Sequence, residues 1–260
     1  MKKKDILLIV IIVLLVAALV FVCVRRIGNT GESAAKQEEV SESPSPSPSP
    51  SPSPSPSPSP SPLEEVSPEP EPYADKPDID ITEWQYMLVN ADNSISDYVP
   101  QLAEVEYEQM VDERIVDALA AFVKAARDEG MTVYISSSYR SYAEQEYLFN
   151  RKVAQYDGDE ETAATIVARP GTSEHQSGLC SDITDKYYEI KDSSLEETVL
   201  YKWMSEHCAE YGFVVRFPKD KEEITGIIYE PWHFRYVGVE AATYMQANDL
   251  CLEEFVALYG

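Results

Sequence analysis

Two runs of this 260-residue chain hold side chains that could do chemistry together. The first is Gly171-Thr-Ser-Glu-His-Gln-Ser-Gly-Leu-Cys-Ser-Asp-Ile183, which sets the imidazole of His175 seven residues before the carboxylate of Asp182. Gly178 lies between them, and glycine lets a backbone fold back sharply. A turn there would bring His175 and Asp182 to one point. The second run is Glu230-Pro-Trp-His-Phe-Arg235, whose His233 lies fifty-one residues past Asp182. Two imidazoles and one carboxylate make a three-ligand set that leaves a zinc ion one open position. That open position separates a catalytic zinc from a structural one. Glu230 is then the spare carboxylate, able to take a proton from water. The chain has three histidines, and two of them fall in these runs. A single His–Asp pair is ordinarily a surface pair, and its spacing here is not a general signature such as His-Glu-x-x-His. The second run therefore carries the weight.

The elements that must position these runs can be read from periodicity. Glu106 to Glu129 reads as the best helix, with Val111, Ile115, Ala118, Leu119, Phe122 and Ala126 at helical spacing and Gly130 as its stop. Thr132 to Ser136 is β-branched and aromatic, a buried strand. Helices are expected over 142–156, 160–167, 196–211 and 239–247. Strands are expected at Ser181–Thr184 and Phe213–Phe217, with a hairpin-type pair at 225–230 and 232–237 and an edge strand at 84–90. Helices and strands do not alternate strictly, so the expected fold is α+β with a small, mostly antiparallel sheet flanked by helices.

The chain divides into three parts: residues 1–27, 28–73 and 74–260. Ile6 to Val24 is nineteen residues without a charge, with basic residues on either side, just long enough to cross a bilayer core of about 30 Å. A cleavable signal peptide is the rival reading, but the apolar run is long and no Ala-x-Ala-like site follows it. An uncleaved single-pass anchor is expected, with the rest of the chain outside the cell membrane. Ser-Pro then repeats ten times, from Ser43 to Pro62. Proline at every second position forbids a helix. The repeat is expected to be a disordered, extended spacer reaching roughly 60 Å. Residues 74–260 are enough for one domain with a proper core.

Charge excludes one class of function. Residues 1–73 hold 6 basic and 9 acidic side chains, so residues 74–260 carry −22 of the chain's −25. So acidic a domain repels nucleic acid. The four cysteines show no Cys-x-x-Cys spacing. A Cys180–Cys208 bridge is possible if the domain lies outside the cytoplasm.

Four motifs occur in order: Ser136-Ser-Ser-Tyr-Arg-Ser141, the Gly171–Ile183 run, Tyr211-Gly-Phe-Val-Val-Arg-Phe-Pro218 and the Glu230–Arg235 run. Together, over roughly Met87 to Tyr244, they resemble the VanY-type D-alanyl-D-alanine carboxypeptidases, bacterial zinc peptidases that trim peptidoglycan stem peptides. The resemblance implies an α+β domain similar to the DD-peptidases and the amino-terminal hedgehog domain. It implies one Zn2+ held by His175, Asp182 and His233, with Glu230 as catalytic base. Arg140 would hold or polarise the substrate carbonyl. Gln145 and Ser173 match pocket positions of related LD-carboxypeptidases, and Trp232 would form a wall beside the metal ligand. Cys180 departs from the family's usual small apolar residue. The expected partners are stem peptides and the membrane, and a monomer is expected. LD-carboxypeptidase activity, a wall-binding module without catalysis and a proline-rich scaffold are the alternatives. The wall-binding module fits less well, since all three ligands and the base are present; full peptide hydrolysis after removal of residues 43–62 would count against the scaffold.

Overall fold

The computed structural model describes Tyr73, residues 75–185 and residues 191–260. The expected anchor at 6–24 and the Ser-Pro spacer lie outside the described residues. No described helix is long and apolar enough to cross a membrane.

A hairpin opens the fold. Strands β1 (Leu102–Glu106) and β2 (Gln109–Asp112) pair antiparallel across the two-residue loop Tyr107-Glu108. Both loop residues have positive φ, 46° and 63°, as a tight hairpin turn requires. This corrects the helix expected from residue 106. Tyr-Glu carries none of the Asn-Gly or Asp-Gly signal that marks such turns, while Val111 and Ile115 mimic helical spacing. Asp112 then accepts a hydrogen bond from the Arg114 backbone N–H and caps a short 3-10 turn. Helix α1 (Val116–Asp128) follows and ends before Gly130.

Strand β3 (Tyr134–Ser137) leads through the Ser-Tyr-Arg motif into α2 (Tyr142–Gln155). Ser141 and Glu144 close a capping box at the start of α2, satisfying free backbone donors there. The short helix α3 (Glu160–Ala164) precedes the Gly171–Ile183 run. That run forms a 3-10 turn at Glu174–Ser177 and then strand β4 (Cys180–Thr184). The remaining elements are α4 (Val199–His207), β5 (Phe213–Val215), α5 (Glu222–Thr225), β6 (His233–Tyr236), α6 (Val239–Ala247) and α7 (Leu252–Ala257).

One four-stranded antiparallel sheet has the order β3-β4-β6-β5. The fold is thus α+β with small antiparallel sheets. In a pleated sheet alternate residues share a face. On one face Ile183 and Phe234 join the main core with Ile135, Leu119 and Phe122. The Phe122 ring sits 5.4 Å from that of Phe213 and 5.5 Å from that of Phe234, which clamps α1 to the sheet. The opposite face carries Cys180, Asp182, His233 and Arg235, all buried. A second cluster joins Tyr86 with residues of α6 and α7, including Met245 and Phe255.

Three further expectations are corrected. Trp84–Tyr86 is a 3-10 turn rather than part of an edge strand. Its carbonyl groups meet a guanidinium instead of a neighbouring strand, because Arg235 Nη2 donates to Gln85 O and Met87 O. Residues 225–230 form no strand: α5 ends at Gly226, whose φ is +74°, and Pro231 has no N–H for a ladder. Strand β6 therefore takes β4 and β5 as neighbours rather than a hairpin mate. Finally, Cys180 and Cys208 are both free. Cys208 is packed into the main core, whereas Cys180 faces the two histidines.

Candidate metal centre and active site

Local backbone and sheet register converge on one point. Gly178 adopts φ +73°, the left-handed conformation that reverses the chain after the Glu174–Ser177 turn. A Cβ there would lie 2.8 Å from the backbone nitrogen of Asp112, so only glycine fits. The reversal carries the chain into β4. In the sheet, Asp182 lies directly opposite His233.

Asp182 Oδ1 lies close to one nitrogen of each imidazole. His175 Nε2 is 3.3 Å and His233 Nδ1 is 3.2 Å from Asp182 Oδ1. The two rings are nearly perpendicular, at 79°, with centroids 4.9 Å apart. Ligands about 2.0–2.1 Å from a tetrahedral zinc are roughly 3.3–3.4 Å from each other. The observed spacings therefore match adjacent corners of such a site. Asp182 Oδ1 is buried and has no hydrogen-bond partner among the described residues. A buried acceptor left without a donor costs stability, and a cation satisfies it. The residues fit a metal ion.

The surroundings orient each donor. His175 Nδ1 faces the Ser138 carbonyl at 2.6 Å. That contact places the proton on Nδ1 and leaves the Nε2 lone pair pointing at the centre. Asp182 Oδ2 accepts from Lys191 Nζ at 2.5 Å, which leaves Oδ1 free for the centre. Cys180, two residues along the same strand face, offers a sulfur within 4.8 Å of the donor atoms of His175 and His233.

Charges here pull against burial. Burial pushes the Asp182 carboxyl up, but Lys191 and His175 hold it well below the usual carboxylate range. Burial likewise opposes ionisation of Cys180, yet the imidazoles of His175 and His233 bring it down to about 6. Burial pushes the His233 pKa down, but Cys180, Asp182 and Glu174 outweigh it and leave it well raised. The donor cluster thus draws positive charge to the two imidazoles. Protons on the imidazoles can supply that charge, and so can a metal, which needs those imidazoles neutral. Glu230 behaves differently. Burial dominates and Asp182 adds to it, raising Glu230 to about 7 despite the opposing pull of His233. Its Oε2 lies 3.5 Å from His233 Nδ1. A carboxyl poised near neutrality beside the centre suits a general base.

A cleft of about 550 Å³ opens over this centre. His175, Asp182, His233, Glu230, Arg140, Gln145, Ser173 and Trp232 all line it. Arg140 Nη1 donates to Gln145 Oε1 at 2.6 Å and Nη2 to Ser137 Oγ at 3.2 Å. Gln145 is itself buried and fixed by its Nε2 donating to Ala168 O at 2.6 Å. Its Oε1 thereby holds the Arg140 guanidinium at the cleft. Ser173 precedes the 3-10 turn, and its side chain makes no cap hydrogen bond there. Trp232 is 7% exposed, so it offers the cleft little more than an edge.

Sequence reasoning did not find Glu174, Ser138 or Lys191. Glu174 lies next to His175, where a charged residue reads as solvated surface, yet it is 2% exposed. Arg216 and Arg235 both bind it. Two arginines inside strand-like motifs were the available signal for a buried acid.

Residues 108–239, about half of the chain, match the profile of "VanY: D-alanyl-D-alanine carboxypeptidase". A D-alanyl-D-alanine carboxypeptidase of Enterococcus faecalis is 39% identical over 185 residues, covering 68% of this chain and 67% of that protein. Two VanY structures are similar. One, VanYB in complex with D-alanine-D-alanine, has a TM-score of 0.62 at 39% identity and covers 68% of this chain and all of the other. The second, a variant of the D,D-pentapeptidase VanY in complex with Zn(II), has a TM-score of 0.60 at 38% identity, covering 67% and 99%. The LD-carboxypeptidase LdcB is similar too, with a TM-score of 0.60 at 38% identity, covering 65% and 84%. Motifs, sheet, donor geometry and these similarities agree, and the chain belongs to the VanY D-alanyl-D-alanine carboxypeptidase family of peptidases.

Proposed function

We propose that this chain is a zinc-dependent D-alanyl-D-alanine carboxypeptidase that removes the terminal D-alanine from peptidoglycan stem peptides. The observation that carries the reading is the meeting of His175 Nε2, His233 Nδ1 and Asp182 Oδ1, with the protonatable Glu230 beside them. His175, Asp182 and His233 would hold the ion. When bound, zinc supplies a Lewis acid that acidifies water and polarises a carbonyl oxygen. Glu230 takes the proton of the attacking water and returns it to the leaving amine. Its place 3.5 Å from His233 Nδ1 puts it within reach of a water at the centre. Arg140, aimed by Gln145 and Ser137, stabilises charge on the substrate oxygen as the carbonyl is attacked. Ser173 and Trp232 line the ground around the peptide. Residues 6–24 would anchor the chain in the cell membrane, and the Ser-Pro spacer would hold the catalytic domain outside, among the peptides it trims.

The similarity to LdcB supports a second reading, an LD-carboxypeptidase that trims tetrapeptide stems. One experiment tests both. The zinc-loaded full chain is incubated with pentapeptide and with tetrapeptide stems, and products are weighed by mass spectrometry. Loss of one alanine from the pentapeptide, abolished by chelation and by Glu230→Ala, is expected. Loss from the tetrapeptide alone selects the second reading, and loss from neither overturns the enzyme.

A further inference from the structure

His233 presents Nδ1 to the centre, so its Nε2 points away into the protein. There it meets Glu174, with His233 Nε2 and Glu174 Oε2 3.4 Å apart. Both atoms are buried, and neither has a hydrogen-bond partner among the described residues. A short shift closes that gap and satisfies the two at once. The other oxygen of Glu174 is already committed. Oε1 accepts from Arg216 Nε at 2.7 Å and from Arg235 Nη1 at 2.5 Å. Both guanidiniums are fully buried and held from behind. Arg216 makes a two-bond fork with Glu253 of α7, at 2.6 and 2.8 Å. Arg235 Nη2 grips the Gln85 and Met87 carbonyls. Oε1 cannot turn toward His233 without leaving two charged donors unpaired, which would be costly in so dry a place.

We propose that Glu174 is a positioning residue of the metal centre: its Oε2 accepts the Nε2 proton of His233 and thereby presents the Nδ1 lone pair to the ion. The inference rests on the zinc reading above. It makes the two histidines a matched pair. Ser138 O fixes the proton of His175 on Nδ1, and Glu174 fixes that of His233 on Nε2, so opposite nitrogens face one centre. Carboxylates and carbonyls in this outer position set ligand orientation and basicity.

The isosteric change Glu174→Gln separates orientation from packing. The two guanidiniums claim the amide oxygen, because only it can accept from them. The amide NH2 is then turned toward His233 Nε2. A donor facing that nitrogen favours the tautomer with its proton on Nδ1, which withdraws the ligand lone pair.

The test uses the full chain in detergent, with Zn(II) as the probe and a chromophoric chelator as competitor. Glu174→Gln is expected to weaken zinc binding by about 10- to 100-fold while retaining a cooperative melt. Affinity within twofold of wild type in a folded variant overturns the proposal. A second measurement needs no variant. Nitrogen-15 NMR of the zinc-loaded wild type is expected to show His233 bound through Nδ1 with a slowly exchanging proton on Nε2. A proton on Nδ1 and zinc on Nε2 overturns the proposal even if Glu174→Gln fails to fold. Wild type that binds no zinc at all overturns both this inference and the function it rests on. Wild type that binds zinc alongside an unaffected variant overturns this inference alone.

Discussion

Asp182 and His233 are cross-strand partners, and the register of β4 against β6 brings Asp182 Oδ1 to 3.2 Å from His233 Nδ1. The sheet itself therefore builds two thirds of the donor set, and the Gly178 reversal delivers the last donor, His175. Zinc bound at this point should stabilise the fold. At a free zinc concentration 100 times its Kd, the gain is about 2.7 kcal/mol. Chelation is expected to lower the wild-type Tm by several degrees, read by calorimetry. Asp182→Asn is expected to melt at one temperature with or without zinc. A zinc-dependent shift in that variant would remove Asp182 from the ligand set.

Glu230 is a site where function opposes stability. Its carboxyl is raised to about 7 by burial in the fold but titrates near 4.5 when unfolded. Between those values the native state holds a proton that the unfolded state has lost. Stability from this group is therefore full below about pH 4.5 and is lost as pH rises through about 7. For the metal-free chain the loss reaches roughly 3 kcal/mol. Glu230→Gln removes it. The metal-free variant should melt several degrees above wild type at pH 8 and level with it at pH 4.5, while hydrolysis falls at least about 100-fold. Equal melting at pH 8 would show that Glu230 pays no burial cost.

Arg140 and Gln145 form one device. Arg140→Ala is expected to lower kcat/KM by about 100- to 1000-fold through loss of a donor to the developing oxyanion. Gln145→Ala leaves the guanidinium in place but unaimed, so a smaller loss, on the order of tenfold, is expected. Steady-state kinetics on the two single variants and the double variant check this. Because Gln145 acts through Arg140, the double variant should be no worse than Arg140→Ala. Additive losses would give Gln145 a role of its own.

Phe122 tests the frame rather than the chemistry. It is fully buried and touches the rings of Phe213, Phe234 and Tyr211. Phe122→Ala should cost about 3–5 kcal/mol in denaturant unfolding. A loss under about 1 kcal/mol would show that α1 does not depend on this contact.

The site was more legible than the frame around it. His175, Asp182, Glu230 and His233 stand out because few residue types bind metals or move protons, and here they sit in two short runs. The β1–β2 hairpin was hidden, since Tyr107 and Glu108 adopt a backbone usually marked by glycine or asparagine. The 225–230 segment looked like a strand because Ile227, Ile228 and Tyr229 are β-branched or aromatic, yet only Ile227 of these lines the cleft and no ladder forms. Glu174 was invisible for a related reason. Its partners Arg216 and Arg235 are forty-two and sixty-one residues away, and only the fold brings them together.

The fork between Arg216 and Glu253 ties α7 to the buried acid behind His233. A stop at Cys251 would remove no residue that lines the cleft. It would nonetheless strip Arg216 of its rear partner, leave a naked guanidinium pulling on Glu174, and loosen the imidazole beyond it. A trimmed tail would empty Leu252 and Phe255 from the second cluster as well, so its injury would be felt both at the cut and at the distant ion site.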